Sequence, residues 1–342
     1  MYKKLVSPLF FLIEPEKVHH FATGFLKILF SIPVINKLVS DYATVKDKSL
    51  ERELLGLKFP NPVGIAAGFD KNAEFFNELG NLGFGFVEIG TVTPKGQPGN
   101  PLPRLFRLPK DNALINRMGF NNKGLEHAVA KLKKRKSQIV IGGNLGKNTA
   151  THNSRAVEDY VTLFNGLFDY VDYFTVNVSC PNISDLRELQ DQDALLEILG
   201  RLQALNHQKT KSKPILLKLS PDLSNNQLDE VIEIIKVTQI DGVVAVNTTI
   251  SREGLSTDKN RVKDIGKGGL SGRPIKQRST EIIRYLAEKS HKSFVIIGVG
   301  GIFTPADAIE KLNAGADLVQ VYTGFIYEGP FIARKINKSL LG

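Results

Sequence analysis

From Asn61 onward, short apolar runs ending in Gly, Asn, Ser or Thr alternate with longer stretches in which apolar residues recur every three or four positions. Eight runs can be counted: Pro62–Gly68, Phe84–Val92, Ile139–Gly146, Tyr173–Cys180, Ile215–Ser220, Gly242–Thr249, Phe294–Gly301 and Leu318–Gly324. Amphipathic helices are predicted between most of them, at Val157–Tyr170, Ala194–Leu205, Leu228–Thr238, Ser279–Glu288 and Pro305–Ala314. Eight strands with intervening helices over about 250 residues predict an α/β fold, the (β/α)8 TIM barrel. A doubly wound open sheet is the competing arrangement. No Gly-x-Gly-x-x-Gly opens a helix after the first strand, as a dinucleotide-binding sheet requires, so the barrel is preferred.

Residues 1–40 read differently from residues 41–342, which hold the barrel. Val18, Phe21, Ala22, Phe25, Leu26, Leu29 and Phe30 keep helical spacing between Glu14-Pro15-Glu16 and Pro33, and a shorter apolar run, Leu5–Ile13, precedes them. Glu14, Glu16, Lys17, His19 and His20 interrupt the only stretch near the ~20 residues a spanning helix needs. Two readings stand: a helical hairpin packed on the barrel, or an amphipathic patch in a membrane interface with lysines facing anionic lipid. The connection Thr93–Gln138 is too long for a plain βα unit; Arg104–Leu108 alternates as a hairpin strand would, and inserted material after a strand lies on the catalytic face.

Composition narrows the class. The 342 residues are 42% hydrophobic, ample for a large core, and a lone cysteine excludes an internal disulfide. The net charge of +10 favours anionic partners without choosing among nucleic acid, lipid and a small anion. The cluster Lys131-Leu132-Lys133-Lys134-Arg135-Lys136 reads as the solvated end of a helix rather than a nucleic-acid contact.

In a barrel, reactive groups sit at the C-terminal ends of the strands. There the chain offers Ala67-Gly68 and Lys71, then Thr91, Asn144, Asn177 with Cys180, Lys218, and Asn247-Thr248. Gly298-Val299-Gly300-Gly301 and Tyr322-Thr323-Gly324 end the last two runs, where backbone amides predict a phosphate cradle. Lys218, flanked by leucines, points into the mouth, where an anionic group would offset its desolvation. Asn116, Asn177, Asn182 and Asn247 suit a planar ligand rich in carbonyl and N–H groups. The six histidines show no metal-ligand spacing, so no metal is expected. By itself, a lone cysteine is most often a small buried hydrophobe.

Four ordered motifs, Asn177-Val178-Ser179-Cys180-Pro181-Asn182, Asn116–Asn122, Gly269–Pro274 and Ile297–Ile302, together resemble the dihydroorotate dehydrogenase family over essentially the whole chain. Glu14–His19 and the preceding helix are similar to its membrane-associated, quinone-dependent class 2. The resemblance implies FMN-dependent oxidation of (S)-dihydroorotate to orotate in pyrimidine synthesis, with electrons passed to a quinone. Ala67, Gly68, Thr91, Asn144, Asn177 and Lys218 would hold FMN, with Gly272, Gly301, Tyr322 and Thr323. Val246 stands where the family usually has Thr, which leaves only a backbone contact there. Dihydroorotate would meet Lys71, the turn Asn116-Arg117-Met118-Gly119-Phe120, Asn177, Asn182, Asn247 and Thr248. His19, Arg107 and Tyr322 would line the quinone tunnel. A monomer at the cytoplasmic face of the cell membrane, bound peripherally and without nucleic acid, is the expected setting.

By the same resemblance, a base takes a proton from C5 of the substrate as the C6 hydride leaves for flavin N5. Class 2 chains usually carry Ser and Thr where this one has Cys180 and Ile183, and Gly where it has Asp185. A thiol near pKa ~8.5 is a far easier base than an alkanol and needs less help from a relaying hydroxyl, so Cys180 is the expected base, with Ser179 the fallback. Two other readings are weighed: a tRNA-dihydrouridine-synthase-like FMN barrel, disfavoured because the chain ends soon after its eighth strand, and a non-enzymatic membrane-surface scaffold.

Overall fold

The computed structural model describes residues 2–178 and 192–342. Cys180, Asn182, Ser179, Ile183 and Asp185 therefore lie outside the described residues.

The chain opens with α1 (Ser7–Phe11), α2 (Pro15–Ser31) and α3 (Pro33–Ala43). The sequence pattern marks α2 and the apolar run before it, but not α3. Ile32 leaves helical geometry at ψ 110°, and Pro33, which has no N–H to lose, opens a new helix at its first position. A hairpin of β1 (Arg52–Leu54) and β2 (Leu57–Phe59) follows.

Then come β3 (Val63–Ile65), α4 (Phe76–Asn81) and β4 (Phe86–Val92). The long connection holds β5 (Lys95–Gln97), β6 (Leu105–Leu108), β7 (Ala113–Asn116), β8 (Asn122–Gly124) and α5 (Leu125–Leu132). Next are β9 (Val140–Leu145), α6 (Ala156–Leu167), β10 (Tyr173–Val176), α7 (Gln192–His207), β11 (Ile215–Leu219) and α8 (Asn225–Thr238). The chain continues through β12 (Gly242–Ala245), α9 (Lys259–Ile265), β13 (Gly269–Gly272), α10 (Lys276–Lys289), β14 (Val295–Val299) and α11 (Pro305–Asn313). It closes with β15 (Leu318–Val321), α12 (Thr323–Glu328) and α13 (Ile332–Ser339).

Strands β3, β4, β9, β10, β11, β12, β14 and β15 pair in parallel in that order, and β15 returns to β3. The eight expected runs are these eight strands. Seven of the eight strands stop before the expected end, β4 alone running to Val92, because Gly, Asn and Ser at the run ends belong to the loops of the mouth; Thr323, for instance, already begins α12. Helix starts follow local chemistry: Ser224 with Gln227 and Thr304 with Asp307 form reciprocal capping boxes at α8 and α11. The expected hairpin in the insertion is β6 paired with β7, and β13, from between β12 and α10, adds to the other edge of β7. Two distant loops are thereby tied together over the mouth. The basic cluster begins in the last turn of α5 and runs past the helix end at Leu132.

Alternation along the strands divides the core in two. Ile65, Val87, Ile89, Phe174 and Val176 turn outward to the helices, whereas Phe86, Val140, Tyr173, Leu216, Ile297 and Leu318 fill the interior. Phe59 of β2 plugs the bottom edge-to-face against Phe86, with ring centroids 5.4 Å apart. Gly64 and Gly142 are the spaces that admit the interior rings. A methyl on Gly64 would lie 2.5 Å from the Phe86 ring, and one on Gly142 would lie 2.2 Å from Tyr173. Because both rings are fully enclosed and cannot yield, Gly64→Ala is expected to lower unfolding stability by about 1–3 kcal/mol, read as a reduced denaturant midpoint; an unchanged midpoint would contradict this packing.

Candidate active site at the barrel mouth

At the C-terminal ends of the strands lies a cavity of about 960 Å³. Its wall takes Ala67 and Gly68 from the β3 end, Thr91 from β4, Asn177 after β10, Lys218 from β11 and Val246 after β12. The opposite side is built from Gly272, Gly301, Tyr322 and Thr323, and the cover from Lys71, Asn116, Met118, Gly119, Phe120, Asn247 and Thr248. These residues, scattered over 256 positions of sequence, are thus brought together.

Two predicted residues are not on the wall. Asn144 stands behind it, accepting from Thr91 Oγ1 at 2.6 Å and from Asn177 Nδ2 at 3.3 Å. Arg117 turns away, donating to the carbonyls of Ile265 (2.8 Å) and Pro103 (3.0 Å) and lying over the Phe106 ring, so its side chain holds the loop. The amide of Asn177 is held on both sides: Nδ2 donates to Thr91 Oγ1 at 3.1 Å, and Oδ1 accepts from Asn247 Nδ2 at 3.3 Å. The Ser271 and Thr323 hydroxyls are 2.9 Å apart across the glycine side of the cavity.

The sequence reading missed Glu88 and Gln320. Glu88 is fully buried inside the barrel; Oε1 accepts from Asn144 Nδ2 at 2.7 Å and lies 3.8 Å from Lys218 Nζ. Its Oε2 accepts from Gln320 Nε2 (2.9 Å), Thr175 Oγ1 (3.1 Å) and Tyr173 OH (3.4 Å). The signal was available: one carboxylate in the strand Phe86-Val87-Glu88-Ile89 and one amide in Leu318-Val319-Gln320-Val321, each among residues that are otherwise apolar.

A second cavity, of about 1710 Å³, opens between α2 and the barrel and shares Gly68, Lys71, Met118 and Tyr322 with the first. His19, Arg107 and Tyr322 all line it, and its other walls are largely aromatic and aliphatic. Arg107 Nη1 donates to the Ile13 carbonyl at 2.6 Å and its guanidinium covers Phe11, while its buried Nε has no protein partner among the described residues. Arg104 clamps Glu16 of α2 from two nitrogens, the shortest contact 2.7 Å, with both side chains 12% exposed. Burial raises the Tyr322 hydroxyl to about 12 and Asp70 to about 6, the latter against two backbone N–H bonds from Glu74 and Phe75.

Fold and cavity define a (β/α)8-barrel enzyme with its site at the strand ends and a side entrance beneath its helices. The family model for dihydroorotate dehydrogenase matches residues 49–342. A relative from Christiangramia forsetii, named dihydroorotate dehydrogenase (quinone), is 58% identical over 100% of this chain and 99% of its own. Another of that name, from Thermus thermophilus, is 46% identical over 97% and 94%. A crystal structure of DHODH from Eimeria tenella in complex with ferulenol superposes with a TM-score of 0.81 at 36% identity, covering 90% of this chain and 89% of that one. The chain belongs to the dihydroorotate dehydrogenase family and is an oxidoreductase. The match to the Christiangramia relative extends over the residues of α1–α3, which lie outside those the family model matches.

His19 supplies a pH test. Desolvation first, then the charges of His20 and Lys71, lowers its imidazole to about 4 against a weaker pull from Glu16. The folded protein therefore keeps His19 neutral while the unfolded chain, at ~6.5, takes up the proton first. Its contribution to stability is present above ~6.5 and is lost as pH falls through about 4. A titration followed by NMR should place the His19 inflection near 4; an inflection near the ordinary ~6.5 would show an open, solvated ring.

Proposed function

We propose that this chain oxidises (S)-dihydroorotate to orotate with FMN held in the first cavity, and that a quinone reaches the same cofactor through the second. The observation that carries this reading is the junction of the two cavities at Gly68, Lys71, Met118 and Tyr322, the first, at the strand ends, the more polar and the second, beneath α2, largely apolar.

The residues present fit FMN. Gly301, at φ +74°, and Gly272, at φ +101°, press so close to Lys276 and to the Asn112 carbonyl that no side chain fits, which leaves their backbone bare to a phosphate or ring edge. Gln320 lines the cavity with Nε2 committed to Glu88, and its buried Oε1 has no protein partner among the described residues. Lys218 Nζ is too far from Glu88 for a hydrogen bond, so its donors remain for an anionic group. FMN held there would supply a two-electron acceptor for the C6 hydride and a donor for the quinone.

The chain's own residues do the rest. Lys71 binds the substrate carboxylate, and the amides of Asn116, Asn177 and Asn247 with Thr248 pair with its ring carbonyl and N–H groups, fixing one orientation. Cys180, following Asn177, takes the C5 proton as thiolate, while Asn182 completes the amide set. Lys218 offsets the negative charge that reduction places at the cofactor. His19 and Arg107 meet the quinone head, where a neutral imidazole can donate or accept one hydrogen bond.

Among the described residues no single helix is long and apolar enough to cross a membrane, and the pair α2 and α3 is bent by 108°. On this pair Phe21, Ile28, Val34 and Leu38 are each more than 60% exposed. Phe21 and Phe25 are at once exposed and part of the wall of the second cavity, so its entrance is at the apolar face. Seated in the membrane interface as a peripheral protein, this face would pass a lipid-soluble quinone inward without exposing it to water.

Anaerobic addition of dihydroorotate should bleach the bound flavin, and a quinone analogue should restore its colour; absence of bleaching removes the substrate assignment, and recovery with fumarate alone removes the quinone. Cys180→Ala should retain FMN and slow bleaching at least ~100-fold, with a parent-like rate excluding Cys180 as base.

A further inference from the structure

A carboxylate inside a closed barrel needs a reason, because charge is costly there unless it is paired and hydrogen-bonded. Glu88 is fully buried and gathers donors from strands β9, β10 and β15. The cation nearest it is Lys218 Nζ at 3.8 Å, on β11. An ionised carboxylate only accepts, so it dictates the orientation of each amide it touches. Asn144 must present Nδ2 to Glu88, which turns its Oδ1 toward Thr91 and Asn177 on the cavity wall. Gln320 likewise spends Nε2 on Glu88, which leaves its buried Oε1 without a protein partner among the described residues. Lys218 is held close enough to feel the charge but too far to give up a hydrogen bond.

We propose that Glu88 is a positioning residue of the redox site: through Lys218 and Asn144 it sets the charge and the hydrogen-bond pattern that the barrel floor presents to the cofactor. The inference rests on the FMN reading above. Its physical content is a sign. With Glu88 ionised, the field of Lys218 at the cavity is partly cancelled. Without that carboxylate, the ammonium acts unopposed and favours the more negative, reduced cofactor.

The test is Glu88→Gln in the full-length, FMN-loaded protein. The amide of Gln320 can turn over to pair with the new carboxamide, so the barrel has a way to accept the change. Sulfite, whose addition to a flavin places negative charge on the ring, is titrated by absorbance, and the midpoint potential is measured alongside. Glu88→Gln should bind sulfite about tenfold more tightly and raise the potential by about 30 mV, the two-electron equivalent of that factor. In a Lys218→Met background the same substitution should still shift both quantities in the same direction, because the charge lost with Glu88 and the change at Asn144 act on the cofactor with or without the ammonium. A merely structural Glu88 would alter stability and FMN retention and leave sulfite affinity unmoved, which would overturn the proposal. If Glu88→Gln does not fold, Thr175→Val removes one donor to the carboxylate without touching the cavity wall and leaves its charge less screened; a smaller shift of the opposite sign is expected, and none is disproof. A parent protein that takes up no FMN defeats both this inference and the reading beneath it, whereas FMN uptake with no change in Glu88→Gln defeats this one alone.

Discussion

The structure depends on a change of polarity inside the barrel. Every strand turns alternate residues inward, and the inward set is apolar at the bottom, with Phe86, Val140, Tyr173, Leu216 and Leu318, then polar one step higher, with Glu88, Asn144, Thr175, Lys218 and Gln320. The lower layer drives closure by burying area, with Phe59 sealing the end. The upper layer survives burial only because each of its members meets another, so it is stable as a network and costly in pieces. What the barrel shows to its mouth is the upper surface of that network.

The helices α1–α3 solve a different problem. They would expose a large apolar face if left alone, and they pack so as to enclose a cavity with one side of that face while leaving the other outward. Their seat joins apolar contacts of Leu26, Phe30 and Val39 with the core to two polar ones: Arg104 holds Glu16, and Arg107 holds the carbonyl of Ile13. Both arginines come from the insertion after β4, the same segment whose turn at Asn116–Phe120 covers the mouth. The insertion therefore supplies part of the wall of the side cavity and the cover of the mouth from one segment.

Much of this was legible beforehand for a simple reason. A strand buried on both faces is a short apolar run, and a helix against it repeats every three or four residues, so the eight units could be counted from pattern alone. Lys218 was readable because a cation between leucines needs a partner. Its partner was not, since Glu88 lies 130 residues earlier and only strand register brings the two within 3.8 Å. Helix α3 escaped because a proline was read as a stop and served also as a start. Arg117 was expected at the substrate by resemblance to the family's motif, yet its guanidinium finds carbonyls on the far side of the loop.

By itself, the sequence determined the order of strands and helices, the chemistry gathered at the strand ends and the apolar character of the first forty residues, because each of these is set by neighbours along the chain. Only the tertiary structure decided which of those groups face one cavity, that a second cavity meets the first at Gly68 and Tyr322, and that a carboxylate lies beneath the lysine. Those facts depend on register and closure, which couple residues hundreds of positions apart and leave no local trace.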